Sequence, residues 1–301
     1  MSAVKIGFIG AGGNARGHMQ RLSEVDEAQI VSICDLNEQT ARSAADEFGG
    51  ATYTDYHKML DEAEMDALYV SIPPFAHTDA EILAAEAGLH LFVEKPVVLD
   101  MDKGLEILDA IKSAGVLSSV GYQLRLLDTA NRIKRYLADR TVAMVSSHRW
   151  GGLPGVHWWR VMDQSGGQLH EQTTHQLDLI RYMTGHEVVE VYARYDLLTM
   201  TDVEDMTVPD SQAAVLTFDN GTIATITTSP MMTQGGGKSD INFLLRDQII
   251  GWATNAVSVT GVAAPELEGD VKETLNIDAA FVQAMIAGDQ SLIPCSYEDG
   301  L

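Results

Sequence analysis

The feature that most limits the fold stands at the front of the chain: "VKIGFIGAGGNA", residues 4–15. An apolar run of strand length ends in glycine, and a helix-like segment opens at about Gly13. Gly10 and Gly12 permit a tight turn and a close approach of backbone to a pyrophosphate, and the N–H groups that open the helix then face the anion. Gly13 and Asn14 continue the turn, and Ala15 stands at the third glycine position, where alanine is an accepted substitute. A lone pattern of this kind is a weak signal. Here Asp35 ends the next strand, "AQIVSICD", where ribose hydroxyls need an acceptor. The bland alternative for Asp35 is a strand-end turn residue. The residues after it are Leu36 and Asn37, with no arginine. A 2′-phosphate would meet a carboxylate with no cationic partner, so the expected cofactor is NAD rather than NADP.

The first ~120 residues alternate strand and helix patterns, the mark of a parallel sheet covered by helices, a doubly wound α/β domain of Rossmann type. "DALYVSIPP" is a strong strand stopped by Pro73 and Pro74, a helix is expected from about His77 to Ala87, and "HLFVEKP" is a further strand. Asn37 can cap the next helix, which Gly49 and Gly50 end, and Asp100 can cap the helix that runs to Ala114. After Tyr122 the rhythm changes. Helical stretches around Thr129–Leu137 and Leu169–Met183 flank the strand "VAMVSSHRW", and six strand-like runs follow. Two of these are joined by "DNG", where Asn and Gly tolerate positive φ. The expected second domain is α+β, an open, mostly antiparallel sheet with helices on one face. The boundary is set at Gly121, giving domains 1–121 and 122–301.

Charge narrows the partners. The 301 residues carry a formal charge of -23. Such a field repels phosphate backbones and anionic lipid surfaces, which argues against nucleic acid and membranes. No apolar run approaches the ~20 residues that cross a bilayer. The N-terminus looks like a first strand and not a signal peptide. Cys34 and Cys295 define no disulfide framework. A cytoplasmic protein is expected.

"GGQLHEQTTHQLD", residues 166–178, looks at first like a zinc protease helix. Such a helix needs its histidines four apart. His170 and His175 are five apart and diverge by about 140° on a regular helix, so no metal is expected. Glu171, His175 and Asp178 share a helical face at spacings of four and seven. That face is the better candidate for chemistry, and the alternative is a buried polar pair that braces the helix.

Taken together, "GAGGNARGH", "VSIPPFAHTD", "FVEKPV", "VGYQLR" and "GGQLHEQTTHQLDLIRYMTG" occur in the order found in one family. Over nearly its whole length the chain resembles the glucose–fructose oxidoreductase / inositol dehydrogenase / rhizopine catabolism family. The resemblance implies a Rossmann domain, a second domain on an open sheet whose exposed face makes a homodimer or homotetramer, and NAD(P)-dependent oxidoreduction of sugars, cyclitols or related polyols. It implies that Lys95 is the catalytic-site lysine, that a cis peptide precedes Pro96, that Pro73, Pro74 and His77 line the nicotinamide side, and that Glu94 sits beside the nicotinamide ribose. It also implies that relatives continue past "IPCSYEDGL" into a further helix. Where the family presents Asp and then His four residues on, this chain has Glu171 and His175. The extra methylene changes where that carboxylate reaches. Either His175 or Lys95 can serve as the proton acceptor, since a lysine near a positive ring in a dry pocket has its pKa lowered.

Tyr122 and Arg125 match family positions at the substrate cleft, and Gln123 lies near enough to reach the cofactor amide. Arg125 binds substrate or makes a domain-bridging ion pair. In "HRWGGLPGVHWWR", Trp158 and Trp159 stack on sugar faces or belong to a core or subunit contact. Few basic residues accompany them, which favours a neutral polyol over a phosphorylated substrate. Two further functions stay open: an NAD-dependent glycoside hydrolase that oxidises its substrate transiently, and a non-catalytic NAD-binding regulator.

Overall fold

A computed structural model describes residues 3–272 and 276–301, which form two compact units. The first comprises Met1–Tyr122 together with Leu275–Leu301, and the second is Gln123–Thr274.

In the first unit β1 (Val4–Ile9), α1 (Gly13–Leu22), β2 (Ala28–Cys34), α2 (Glu38–Phe48), β3 (Ala51–Tyr53), α3 (Tyr56–Glu62), β4 (Ala67–Val70), α4 (Ala80–Glu86), β5 (His90–Val93), α5 (Met101–Ala114) and β6 (Ser118–Val120) follow in turn. The strands form one parallel sheet in the order β3-β2-β1-β4-β5-β6, the doubly wound arrangement. Its central strands are covered on both faces, so Phe8, Leu68, Tyr69, Val70, Leu91, Phe92 and Val93 are all buried. Asn37 and Asp100 accept hydrogen bonds from the helix-opening N–H groups of α2 and α5. The expected helix from His77 instead opens with a 3-10 turn at Pro74–Ala76, and α4 begins only at Ala80.

The second unit opens with α6 (Asp128–Leu137) and β7 (Met144–Trp150), passes through the short helices α7 (Met162–Ser165) and α8 (Gly167–Glu171), and continues with α9 (Thr174–Thr184). β8 (Val188–Asp196), β9 (Ser211–Phe218), β10 (Ile223–Ser229), β11 (Lys238–Leu245), β12 (Gln248–Ala253) and β13 (Ala256–Gly261) complete it. The seven strands run β13-β12-β11-β7-β10-β9-β8, antiparallel except for the β7–β10 pair. Val145, Leu216, Ile226, Phe243 and Ile250 point to one face and pack with Ile133 and Leu137 of α6 and Leu179, Ile180 and Met183 of α9. Burying each such side chain contributes about 1.5–3 kcal/mol. In the "DNG" turn only Gly221 takes positive φ, while the Asn220 side chain accepts from the Thr222 N–H.

The end of the chain departs from the expected division. α10 (Ile277–Ala287) packs on α1, and α11 (Tyr297–Gly300) packs on β6. The reason is the edge of the first sheet: among the described residues β6 has no strand beyond it. Gln290 takes up both the N–H and the C=O of Ser118, and the Cys295 C=O accepts from the Val120 N–H. The last residues thus satisfy an edge that would otherwise stay open.

Candidate functional site

The turn after β1 is built by two kinds of glycine. Gly10 has φ 91°, and a Cβ there would lie 2.1 Å from the Ser71 carbonyl oxygen, so the fold itself demands glycine. At Gly12 and Gly13 a Cβ would meet no protein atom within 4 Å. The backbone at those two positions is therefore open to close approach. α1 opens at Gly12 with no side-chain cap and no acidic residue in its first turn, so its leading N–H groups are left for an anion. Asp35 accepts from the Ala11 and Asn37 N–H groups, which fixes its carboxylate at the mouth of the turn. A cleft of about 350 Å³ runs beside them, lined by Gly10, Gly12, Asp35, Leu36, Tyr56 and Pro73 among others. Asn14 is exposed at the helix start, whereas Ala15 and Pro74 are buried. The His77 ring is also buried, at 2% exposure, and bonds Glu81 one turn on in sequence.

Glu94 and Lys95 leave the end of β5, and the Lys95–Pro96 bond is cis, as expected. The Glu94 carboxylate is buried and turned inward. One oxygen accepts from the Lys95 N–H at 3.0 Å, and the other lies 2.7 Å from His18 Nε2. His18 Nδ1 lies 2.6 Å from Asp278 of α10, whose other oxygen accepts from Arg21 Nε at 2.6 Å. Arg21 Nη2 is also 2.9 Å from His18 Nδ1, but the shorter carboxylate contact places that nitrogen's proton on the Asp278 side. Phe92, Tyr69 and Phe281 wall the cluster in. Burial alone would push the His18 pKa down. The hydrogen bonds and charges of Asp278 and Glu94 overcome it and raise the value to about 9. The sequence shows His18 only as part of the glycine-turn motif, and it gives no sign that Asp278, 260 positions away, closes the same cluster.

The second unit corrects the opening reading of residues 166–178. They do not form one helix. α8 ends at Glu171 and α9 starts at Thr174. The Gln168 carbonyl accepts from both the Gln172 and Thr173 N–H groups, a one-residue widening of the ladder, and the Thr173 hydroxyl bonds that of Thr228. The face arithmetic for Glu171, His175 and Asp178 therefore does not apply across the break. Glu171 is buried, and its carboxylate accepts from Trp159 Nε1 at 2.9 Å and from Gln172. Trp159, at 1% exposure, packs with Met200, Met206 and Val208, so it is a core residue and not a stacking platform. Trp158 is half-buried beside the same cluster, and His175 is half-buried near the start of α9. Arg125 is buried, and its guanidinium bonds the Asp178 carboxylate, with Nε 3.0 Å from Oδ1. The ion-pair reading of Arg125 is the observed one, though it lies within the second unit and does not bridge domains. Tyr122 is buried and Gln123 exposed. A larger hollow of about 670 Å³, beside Trp150 and Tyr195, contains none of the expected site residues.

Residues 4–122 match the family model described as "Oxidoreductase family, NAD-binding Rossmann fold", and residues 139–249 match the "GFO/IDH/MocA C-terminal domain". A Bacillus subtilis (strain 168) protein named uncharacterized oxidoreductase YrbE is 30% identical over 237 residues, 77% of this chain and 69% of its own length. The myo-inositol 2-dehydrogenase of Thermotoga maritima is 27% identical over 77% of this chain and 70% of its own length. The WlbA dehydrogenase of Bordetella pertussis, solved with NADH and UDP-GlcNAcA, superposes with a TM-score of 0.84 at 22% identity, covering 99% of this chain and 92% of that one. At that identity the superposition speaks for the fold. The glycine turn, the parallel sheet and these matches together establish that the chain is an NAD-binding oxidoreductase of the GFO/IDH/MocA family.

Proposed function

We propose that the protein is an NAD-dependent dehydrogenase or reductase that moves a hydride between nicotinamide and a hydroxyl- or carbonyl-bearing carbon of a sugar, cyclitol or related polyol. The observation that carries this reading is the pair Gly12–Gly13, open to approach, at the uncapped start of a helix. Gly10, Gly12, Gly13, Asn14 and Asp35 hold the dinucleotide, with Asp35 as acceptor for ribose hydroxyls. NAD is preferred over NADP because Leu36, 94% exposed, and Asn37 follow that carboxylate and supply no cation. NAD bound there supplies the hydride acceptor. The protein's own task is the hydroxyl proton, and we assign it to Lys95 and His175, with the Glu171 carboxylate, which accepts from Trp159 Nε1, as the third catalytic group. Inositol dehydrogenases among the relatives support a polyol substrate.

The outer face of the second sheet supports self-association. Ile249, Leu244, Met144 and Ile223 stand opposite one another across four adjacent strands, and each is 39–46% exposed. We assign this row to an interface between copies of the chain. Cys34 and Cys295 are both buried, and we place the protein in a reducing, cytoplasmic setting. No helix among the described residues is long and apolar enough to cross a membrane.

The deciding experiment incubates the protein with NAD and a panel of inositols, aldoses and alditols, following nicotinamide fluorescence. Accumulating NADH with at least one polyol is the expected result. Glycoside cleavage at constant NADH points to the hydrolase, and binding without chemistry points to a regulator; either result overturns the proposal.

A further inference from the structure

We propose that His18 is a positioning residue of the active site: its imidazole clamps the Glu94 carboxylate from inside the sheet and so fixes the peptide that carries Lys95. The proposal rests on the assignment of Lys95 made above. Three observations support it. First, both oxygens of Glu94 are committed, one to His18 and the other to the Lys95 N–H itself, so holding the carboxylate holds that peptide. Second, His18 is itself held from the far side by Asp278, which Arg21 secures in turn. Two carboxylates and two cations make the buried cluster neutral only while the imidazole carries both protons, and each ring nitrogen faces a carboxylate oxygen. Third, Gly121 leaves the space that the carboxylate fills. A Cβ there would lie 2.8 Å from the Glu94 carboxyl carbon. Since His18 belongs to α1 and Glu94 follows β5, the clamp also ties the phosphate-binding helix to the lysine-bearing strand end.

Two substitutions at position 18 separate positioning from simple burial. In His18→Gln the amide nitrogen can stand in for Nε2 and donate to Glu94. In His18→Asn the donor stands in for Nδ1 and reaches only towards Asp278. Gly121→Ala is the independent arm, since it displaces the Glu94 carboxylate without removing any of the four charged side chains. The first readout needs no cofactor: the ¹³C resonance of reductively methylated Lys95, assigned by its loss in Lys95→Arg. The second is kcat with whichever polyol best reduces NAD. His18→Asn and Gly121→Ala should shift the resonance and lower kcat about 100-fold, the loss typical of a misplacement of about 1 Å. His18→Gln should keep the wild-type resonance and lose far less. If the Gln and Asn variants behave alike, or Gly121→Ala leaves both readouts at wild-type values, the proposal is wrong. If His18→Asn does not fold, Gly121→Ala decides alone. Should Lys95→Ala keep its turnover, the assignment of Lys95 fails, while the resonance still reports whether His18 fixes that side chain.

Discussion

The indole N–H of Trp159 donates to the Glu171 carboxylate at 2.9 Å, joining the 3-10 turn at His157–Arg160 to the end of α8. Glu171 is one methylene longer than the aspartate expected at this position of the family, and the bond gives that length a use. Trp159→Phe keeps most of the apolar volume and removes the donor. Leaving a buried acceptor short of a partner costs about 1–3 kcal/mol. Chemical denaturation should show a loss of that size, and Glu171→Asp, which withdraws the carboxylate from the indole, should show a similar one. A Trp159→Phe protein as stable as the wild type would mean that the bond contributes nothing.

The two kinds of glycine in the turn give opposite outcomes. Gly10→Ala forces a Cβ against the Ser71 carbonyl at a positive φ, so the protein should unfold at lower denaturant concentration. Gly12→Ala meets only open space, so stability should hold while NAD binding weakens about tenfold or more, equivalent to about 1.4 kcal/mol. Calorimetry for affinity and urea titration for stability check the pair. Gly12→Ala binding NAD as tightly as wild type would remove the cradle from the site.

Much of this was legible beforehand, and the rest was not, for identifiable reasons. The glycine turn, the central strands and the run of antiparallel strands depend on local pattern, which a sequence displays. β3, Ala51–Tyr53, is three largely exposed residues, so no apolar run marks it as a strand. The break at Gln172 and Thr173 was missed because each residue is acceptable within a helix. The hydroxyl pair of Thr173 with Thr228, 55 positions on, lies at the break and is invisible locally. The same holds for Asp278 at His18, and for the return of the chain to cover β6. Trp159 was ambiguous because indole suits a sugar face and a core equally, and only burial distinguishes them.

His18 gives a pH signature. The groups facing it are Glu94 after β5, Asp278 of α10, Arg21 of its own helix and Tyr69 of β4, whose phenol burial and the Asp278 charge push upward. The folded value, about 9, is above the ordinary 6.5, so the stabilisation is full below about pH 6.5 and is lost as pH rises through 9. Thermal melts from pH 6 to 10 should show wild-type Tm falling across that window. His18→Gln, which has no titrating ring, should give a flatter curve from a lower start. Parallel curves for the two proteins would show that His18 is not charged in the fold.

The row Ile249–Leu244–Met144–Ile223 predicts a simple change of mass. Met144→Asp places a charge in the middle of the row, where a contact between copies would bury it unpaired. Light scattering should show the wild type as a dimer or tetramer and the variant as a smaller species with unchanged helix content. A wild-type monomer, or a variant of unchanged mass, would leave that row outside any interface.

Lys95→Ala tests the chemistry directly. Lys95 is half-buried, and the Glu94 carboxylate that meets its N–H is anchored to His18. The cofactor cradle around Gly12 and Asp35 does not include the Lys95 amine among its lining groups, so NAD affinity should stay within about threefold, less than 1.4 kcal/mol. Proton transfer by a positioned side chain contributes ~10²–10⁴-fold, and turnover should fall by a factor in that range. His175→Ala run beside it identifies the proton acceptor. The group whose loss also removes the pH dependence of kcat/KM in the oxidation direction is the base, while the other should lower the rate and leave the pH profile in place. Turnover unchanged in Lys95→Ala would place the chemistry elsewhere in the molecule.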